Sequence, residues 1–153
     1  MDAIDRKILI LLQQDASLSI EKIAAKIHLS STPCWKRIRR LEKLGIIKKR
    51  VALLDAEKIG AGVTVFVAIK TNQHNREWLN HFANSVADMP QILDFYRMSG
   101  EIDYLLRVVV PDIAEFDTFY QELISRVPLS DVTSSFAMEQ IKHTTALPIP
   151  KET

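Results

Sequence analysis

Between Lys36 and Arg50 the chain places eight basic residues, at positions 36, 37, 39, 40, 43, 48, 49 and 50, against one acid, Glu42. Guanidinium and ammonium groups at that density suit a polyanion that offers phosphates in a row. Wound at 100° per residue, Cys34, Trp35, Ile38 and Leu41 share one side of a helix. Thr32, Lys36, Arg40 and Lys43 fall roughly opposite, and Arg37 and Arg39 flank the apolar stripe. A cationic face on an apolar base is what a helix lying in a DNA groove needs. A solvated charged helix on an ordinary bundle has the same wheel, so the reading depends on what surrounds it.

The surroundings favour DNA. Upstream, Ile20, Ile23, Ala24 and Ile27 recur at helical spacing and predict a short helix with one buried face. Ser30-Ser31-Thr32-Pro33 is a helix-start signal, because a hydroxyl can cap free N–H groups and proline has none to leave free. Gly45 suits the helix end near Leu44, where a left-handed residue is often required. A short helix, a tight turn and a basic amphipathic helix make a helix-turn-helix over about residues 20–39, with the second helix in the major groove. The candidate DNA contacts are Ser31, Thr32, Lys36, Arg37, Arg39 and Arg40, with Lys49 from the following segment. Ile4, Ile8, Leu9, Leu11 and Leu12 predict a helix before it, with Asp2 as N-cap and Asp5 in the first turn. The run from Ile46 to Asp55 is short and β-branched with basic residues in the middle. It reads as two strands and a basic turn, a wing whose Lys48, Lys49 or Arg50 either touches phosphate or simply sits in solvent.

Charge divides the chain. Residues 1–55 carry a formal +6 and residues 56–153 carry −5, so a basic nucleic-acid module precedes one with another task. No apolar run approaches the ~18–20 residues that a membrane helix needs. The start, M-D-A-I-D-R-K, lacks the features of a secretory signal. With one cysteine, Cys34, an intramolecular disulfide is excluded, and the expected location is the cytoplasm.

The second module begins after Gly60 and Gly62, with Ala56–Ile59 as a short lead-in helix. Residues 63–71 (V-T-V-F-V-A-I-K-T) read as a strand and residues 76–87 as a helix ended by Met89-Pro90. Residues 92–98 and 104–110 are strands, and Pro111-Asp112 opens a helix with Ile113, Phe116, Phe119, Tyr120, Leu123 and Ile124 inward. Residues 132–143 form a last strand. The order β-α-β-β-α-β predicts a ferredoxin-like sheet with two helices on one face, so the fold class is α+β, with domains at 1–58 and 59–153. Both faces of the first strand are apolar, Val65, Val67 and Ile69 against Phe66 and Ala68. The face without helices therefore calls for a second copy of the chain.

Five segments in order carry a resemblance: D-R-K-I-L at 5–9, L-S-S-T-P-C-W-K-R-I-R-R-L-E-K-L-G-I-I at 29–47, A-L-L-D at 52–55, G-E-I-D-Y-L-L-R-V at 100–108 and S-S-F-A-M-E-Q-I-K at 134–142. Together they resemble the leucine-responsive and asparagine-responsive regulators, the Lrp/AsnC family, over nearly the whole chain. The resemblance implies a prokaryotic, nucleoid-associated transcription regulator of amino-acid metabolism genes. It implies a winged helix-turn-helix followed by a RAM-type effector-binding and oligomerisation module, dimers that assemble further, often into octamers, and a small amino acid bound between dimers. Leucine, methionine and cysteine are the candidates, and the 32–38 and 134–142 segments lie closest to the cysteine-responsive branch. The sequence starts almost at the first helix, so DNA contacts from the N-terminal extension of some relatives are not expected.

The Gly100–Tyr104 turn resembles the family's effector loop. On that reading Gly100 and Glu101 offer backbone N–H groups to a carboxylate, Asp103 accepts from an ammonium, and Met98 and Tyr104 supply apolar wall. Ser134 and Ser135 lie on the strand that the resemblance places nearby. From spacing alone the same residues make a plain hairpin turn with a buried tyrosine. His28, His74, His81 and His143 lack zinc-ligand spacing, and Cys34 reads as a buried structural cysteine, so neither metal nor cofactor is expected. An enzyme is disfavoured because no nucleophile–base or acid–base pair stands out. The remaining alternative is a non-specific architectural protein whose oligomers wrap DNA.

Overall fold

The computed structural model describes residues 1–150, which divide by their contacts into two units, Met1–Leu53 together with residues from 141 onward, and Leu54–Gln140. Against the expected 1–58 and 59–153, the division falls after Leu53 and the tail groups with the helical unit. The tail does so because Ile149 packs on the helical core, while the Gln13 side chain both donates to the Leu147 carbonyl (3.2 Å) and accepts from its N–H (2.6 Å).

In the first unit three helices surround Ile8, Ile23, Ala24, Cys34, Ile38 and Leu41. Helix α1 (Ala3–Gln14) starts on a reciprocal box. The Asp2 carboxylate accepts from the N–H groups of Ile4 (3.0 Å) and Asp5 (2.8 Å), while Asp5 accepts from the Asp2 N–H at 3.1 Å. Helix α2 (Ile20–Lys26) is capped by the Ser19 hydroxyl, 3.3 Å from the Lys22 N–H. Helix α3 (Ser31–Lys43) follows a tight turn. Its N-cap Ser30 makes no side-chain cap bond, contrary to the sequence expectation. The reason lies in Pro33: it occupies the third helical position, whose N–H a cap oxygen commonly takes, and it has none to give. The other end behaves as expected. Gly45 adopts φ 71°, its N–H donates to the Glu42 carbonyl (2.9 Å) and the Ile46 N–H to that of Leu41 (3.0 Å), a Schellman closure.

The α2–α3 turn holds a strained residue. His28 has φ 58°, a left-handed value that costs an L-residue free energy that glycine escapes. His28→Gly is expected to raise the urea midpoint, corresponding to about 0.5–1 kcal/mol once glycine's extra unfolded-state entropy is subtracted. An unchanged or lower midpoint would mean that the imidazole holds the turn.

Residues 46–55 contain no strand, so the expected hairpin wing is not formed within this chain. Tight hairpins want residues that accept positive φ at the turn, and Lys48-Lys49-Arg50 offers none. An isolated two-stranded hairpin is in any case marginal in water. The expected helix at 56–59 is a hydrogen-bonded turn, closed by the Ala61 N–H on the Ala56 carbonyl (2.8 Å) and ended by Gly60 at φ 75°.

The second unit runs β1 (Val63–Lys70), α4 (Arg76–Val86), β2 (Ile92–Arg97), β3 (Tyr104–Val110), α5 (Ile113–Arg126) and β4 (Asp131–Phe136). The sheet order is β2-β3-β1-β4 and every neighbouring pair is antiparallel, the ferredoxin-like arrangement. Alternation sets the faces: Val65, Val67, Ile69, Leu106 and Val108 are buried under Trp78, Phe82 and Val86 of α4 and Phe116, Phe119 and Leu123 of α5. Arg126 fastens the two helix ends, donating to the Ser85 carbonyl (2.8 Å) and to Asp88 (2.5 Å). Ile113 and Ile124, expected inward, are exposed at the margins of α5. Strand β4 stops at Phe136, short of the expected residue 143: Phe136 pairs with Val65, the Ala137 N–H still donates to the Thr64 carbonyl (2.9 Å), and β1 begins at Val63, so residues from 139 onward have no strand to pair with.

Candidate functional site

Two groups of side chains bear on function, one in each unit. In the helical unit the buried stripe of α3 is Cys34, Ile38 and Leu41. Burial pushes the Cys34 thiol pKa up, away from the thiolate that oxidation and metal binding require. Trp35, expected with that stripe, points outward and is 50% exposed. It lies about 100° round from Cys34, where the stripe gives way to the cationic face. That face presents Thr32, Lys36, Arg39, Arg40 and Lys43 to solvent, with Ser31 half-buried at its start.

The cations are not equivalent. Arg37 donates to Asp2 at 2.6 Å and to Asp5 at 2.9 Å, and its side chain is only 28% exposed. Arg40 reaches the same Asp5 at 2.5 Å with its side chain 55% exposed. Asp5 itself is wholly buried. Both arginines, expected as DNA contacts, thus anchor α3 to α1, since a buried carboxylate needs counter-charge. Arg39 pairs with Glu42 at 2.8 Å and keeps most of its side chain in solvent. Lys36, Lys43 and Lys49 make no ion pair among the described residues. Lys36 and Arg39 are therefore the clean probes of DNA contact. Each of Lys36→Ala and Arg39→Ala is expected to leave folding intact, weaken DNA binding and lower the salt slope by about 1 for every phosphate that is no longer neutralised. Gel shifts over a salt series test this, and unchanged affinity and slope in both would remove α3 from the interface.

In the second unit the β2–β3 turn is closed by the Met98 N–H on the Asp103 carbonyl (2.8 Å). Gly100 has φ 129°, and a Cβ there would meet open space, so only its backbone demands glycine. Asp103 is pinned from two sides. Its N–H donates to the Ile69 carbonyl (3.0 Å), and its Oδ2 accepts from the Thr71 N–H (2.8 Å). Its Oδ1 lies 3.5 Å from His74 Nδ1, and the side chain remains 27% exposed. Glu101 stands 90% exposed, 3.5 Å from Lys70, and Met98 is partly exposed. Thr71 and His74 are neighbours that the sequence did not single out, because their approach to Asp103 depends on where β1 ends against β3.

Three expected members stand apart from this loop. Tyr104 is buried among Trp78, Phe82 and Phe95, with ring centroids 5.4–5.6 Å away, so it is core and not pocket wall. Ser134 pairs with Val67 on the helix-covered face, whereas Ser135 pairs with Phe66 on the open one. Adjacent strand residues point oppositely, so the two hydroxyls do not share a site within one chain. The end of β1 lies between the loop and the start of β4, since Ile69 pairs with Tyr104 on one side and with Val132 on the other. Among the described residues no group of three or more metal-binding side chains gathers, and no helix is long and apolar enough to cross a membrane.

Comparison with known proteins covers both units. A family model described as the Lrp/AsnC ligand binding domain matches residues 64–147, and one described as winged helix-turn-helix DNA-binding matches residues 1–48. The chain is 58% identical to the DNA-binding transcriptional activator DecR of Escherichia coli (strain K12), over 97% of this chain and 99% of that one. It is 48% identical to a glutamate uptake regulatory protein of Zymomonas mobilis, over 99% and 92% of the two chains. Among solved structures it resembles an AsnC family transcriptional regulator from Agrobacterium tumefaciens, with TM-score 0.94, 55% identity and 97% of each chain covered. It also resembles a Neisseria meningitidis transcriptional regulator in complex with L-Met, with TM-score 0.91, 34% identity and 97% and 96% covered.

Proposed function

The chain belongs to the Lrp/AsnC family of transcription regulators, and on that premise we propose that it regulates amino-acid metabolism genes by binding specific DNA sites in response to a small amino acid. The observation that carries the DNA half is the face of α3: Lys36, Arg39 and Lys43 exposed on a helix that Asp5 locks against α1. The effector half rests on the Gly100–Asp103 turn, whose open backbone suits a carboxylate and whose Asp103 Oδ1 suits an ammonium. The Neisseria relative bound to L-Met supports an amino acid of medium apolar side chain, which keeps methionine, leucine and cysteine as the candidates. The protein then works in the cytoplasm, on the nucleoid, as a binder and not as a catalyst.

The partner for the open sheet face is a second copy of the chain. Phe66, 39% exposed, lies there with Ala68, Leu105 and Val109, a patch that one chain's two helices do not reach. Dimers built on it assemble further, towards an octamer. Sedimentation of the full chain at micromolar concentration is expected to show a dimer or larger. A folded monomer would overturn the assignment of this face.

Two measurements test the function. The ratio of affinities for an upstream promoter fragment and random DNA at physiological salt is expected to exceed about a thousandfold. A ratio near one would instead support a non-specific DNA-wrapping protein. A thermal-shift screen against the twenty amino acids is expected to raise Tm with one or a few of them, because a ligand that binds only the folded state stabilises it. No shift with any would remove the effector half.

A further inference from the structure

We propose that Trp35 is a specificity-determining residue that reads thymine methyl groups in the major groove. The inference rests on the DNA-binding reading of α3 and goes beyond its cationic contacts. A half-exposed tryptophan on a small domain leaves a large apolar ring in water, and among the described residues Trp35 makes no ring contact that would explain it. Its neighbours on the helix explain it better. Lys36 is next in sequence, Thr32 lies one turn back and Arg39 one turn on, all exposed. Phosphate-seeking cations on one side of the ring leave the indole over the base edges between the strands.

Trp35 also bounds a shallow notch lined by Ile20, Glu21, Ser31 and Thr32. Its walls include an acid and no cation, so a phosphate is disfavoured there. An apolar group is favoured, and the thymine C5-methyl is the apolar group that an unmodified base presents in the major groove. Phe66, on the open sheet face, has Arg107 as its cross-strand partner, but that guanidinium is taken up by Asp94 (2.5 Å), whereas Lys36 beside Trp35 makes no ion pair among the described residues, which separates Trp35 from an ordinary dimer contact.

The test uses the full chain and duplexes selected by it from a random pool. Replacing thymines one at a time by deoxyuridine removes the methyl and nothing else. In wild type, one or two such positions are expected to weaken binding about tenfold, within the range that single base-pair changes cost. Trp35→Ala is expected to lose the same factor on the selected duplex, to become insensitive to uridine at those positions, and to keep its affinity and salt slope on random duplex. Trp35→Phe is expected to restore part of the preference. Uridine without effect at every position, or equal loss by Trp35→Ala on selected and random duplexes, would overturn the proposal while leaving DNA binding by α3 in place. The uridine series needs no variant, so a null result there overturns the proposal even if Trp35→Ala folds poorly, and in that case Trp35→Phe carries the assignment: uridine sensitivity equal to wild type in it would place the methyl contact elsewhere. Failure of wild type to bind any duplex at low salt would instead sink the DNA reading, and this proposal with it.

Discussion

Asp5→Ala is expected to destabilise the helical unit by about 2–3 kcal/mol. Asp5 is wholly buried and accepts three charge-assisted or backbone bonds, from Arg37 (2.9 Å), Arg40 (2.5 Å) and the Asp2 N–H (3.1 Å). Breaking a fully buried ion pair from one side costs about 3–5 kcal/mol. The cost here is smaller, because the two guanidinium groups are partly exposed and hydrate once the acid has gone. Asp5→Asn keeps the shape and, with its oxygen in the Oδ2 place, the Asp2 bond, but it loses the charge and turns an amide N–H toward the Arg37 donor, so a loss of similar size, about 2 kcal/mol, is expected. Urea unfolding followed by circular dichroism measures both, and midpoints equal to wild type would show that the buried carboxylate contributes nothing. Because the same acid holds α3 against α1, DNA affinity should fall with stability in these variants.

Acid adds an independent check on this corner. The Asp5 N–H, and after it Arg37, hold the Asp2 carboxyl down from 3.8 to about 2. A folded-state pKa below the unfolded value means that the stabilisation is complete above about pH 4 and is lost as pH falls through about 2. Stability measured between pH 5 and pH 2 should therefore decline, and Asp2→Asn should flatten part of that decline.

What the sequence revealed depended on the range of the interaction. The stop of α3 at Gly45-Ile46 is local, and it was legible from one glycine and a change of period. The order of the second unit was equally legible, since each strand and helix carried its own period of two or 3.6 and the connections were short. The start of α3 misled because the same Pro33 that marks a helix start also removes the N–H that Ser30 would have capped. The wing misled because β-branched residues suggest strands, whereas a hairpin also needs a turn that Lys48-Lys49-Arg50 does not supply. Long-range pairs were not legible. A helical wheel places Arg37 beside the apolar stripe and Arg40 opposite it, but only the packing of α1 on α3 reveals that both close on Asp5. Tyr104 likewise reads as pocket wall until the aromatic cluster around it is in place, and Ser134 and Ser135 read as a pair until the strand puts them on opposite faces.

Asp103→Asn is expected to weaken the response to the amino-acid effector by tens- to thousands-fold, while folding and effector-free DNA binding survive. The carboxylate divides its oxygens. Oδ2 is committed to the Thr71 N–H at 2.8 Å, and Oδ1, beside His74, is the one left to meet an ammonium. Truncating one partner of a buried charge pair typically costs about 2–5 kcal/mol, and each 1.4 kcal/mol is about tenfold in affinity. Asparagine still presents an oxygen to Thr71, so the β1 end keeps its tether while the charge is lost. Asp103→Ala removes both, and it should add a stability loss of about 1–2 kcal/mol, because Thr71 is buried and its N–H loses its acceptor. The two variants therefore separate the tether from the ligand contact. Calorimetry with whichever amino acid raises Tm in the thermal screen supplies the comparison. Tight binding by the asparagine variant would make Asp103 a strand-end clamp alone. Weak binding at unchanged Tm would assign the charge to the ligand, since a purely structural acid has no means of losing affinity without losing stability.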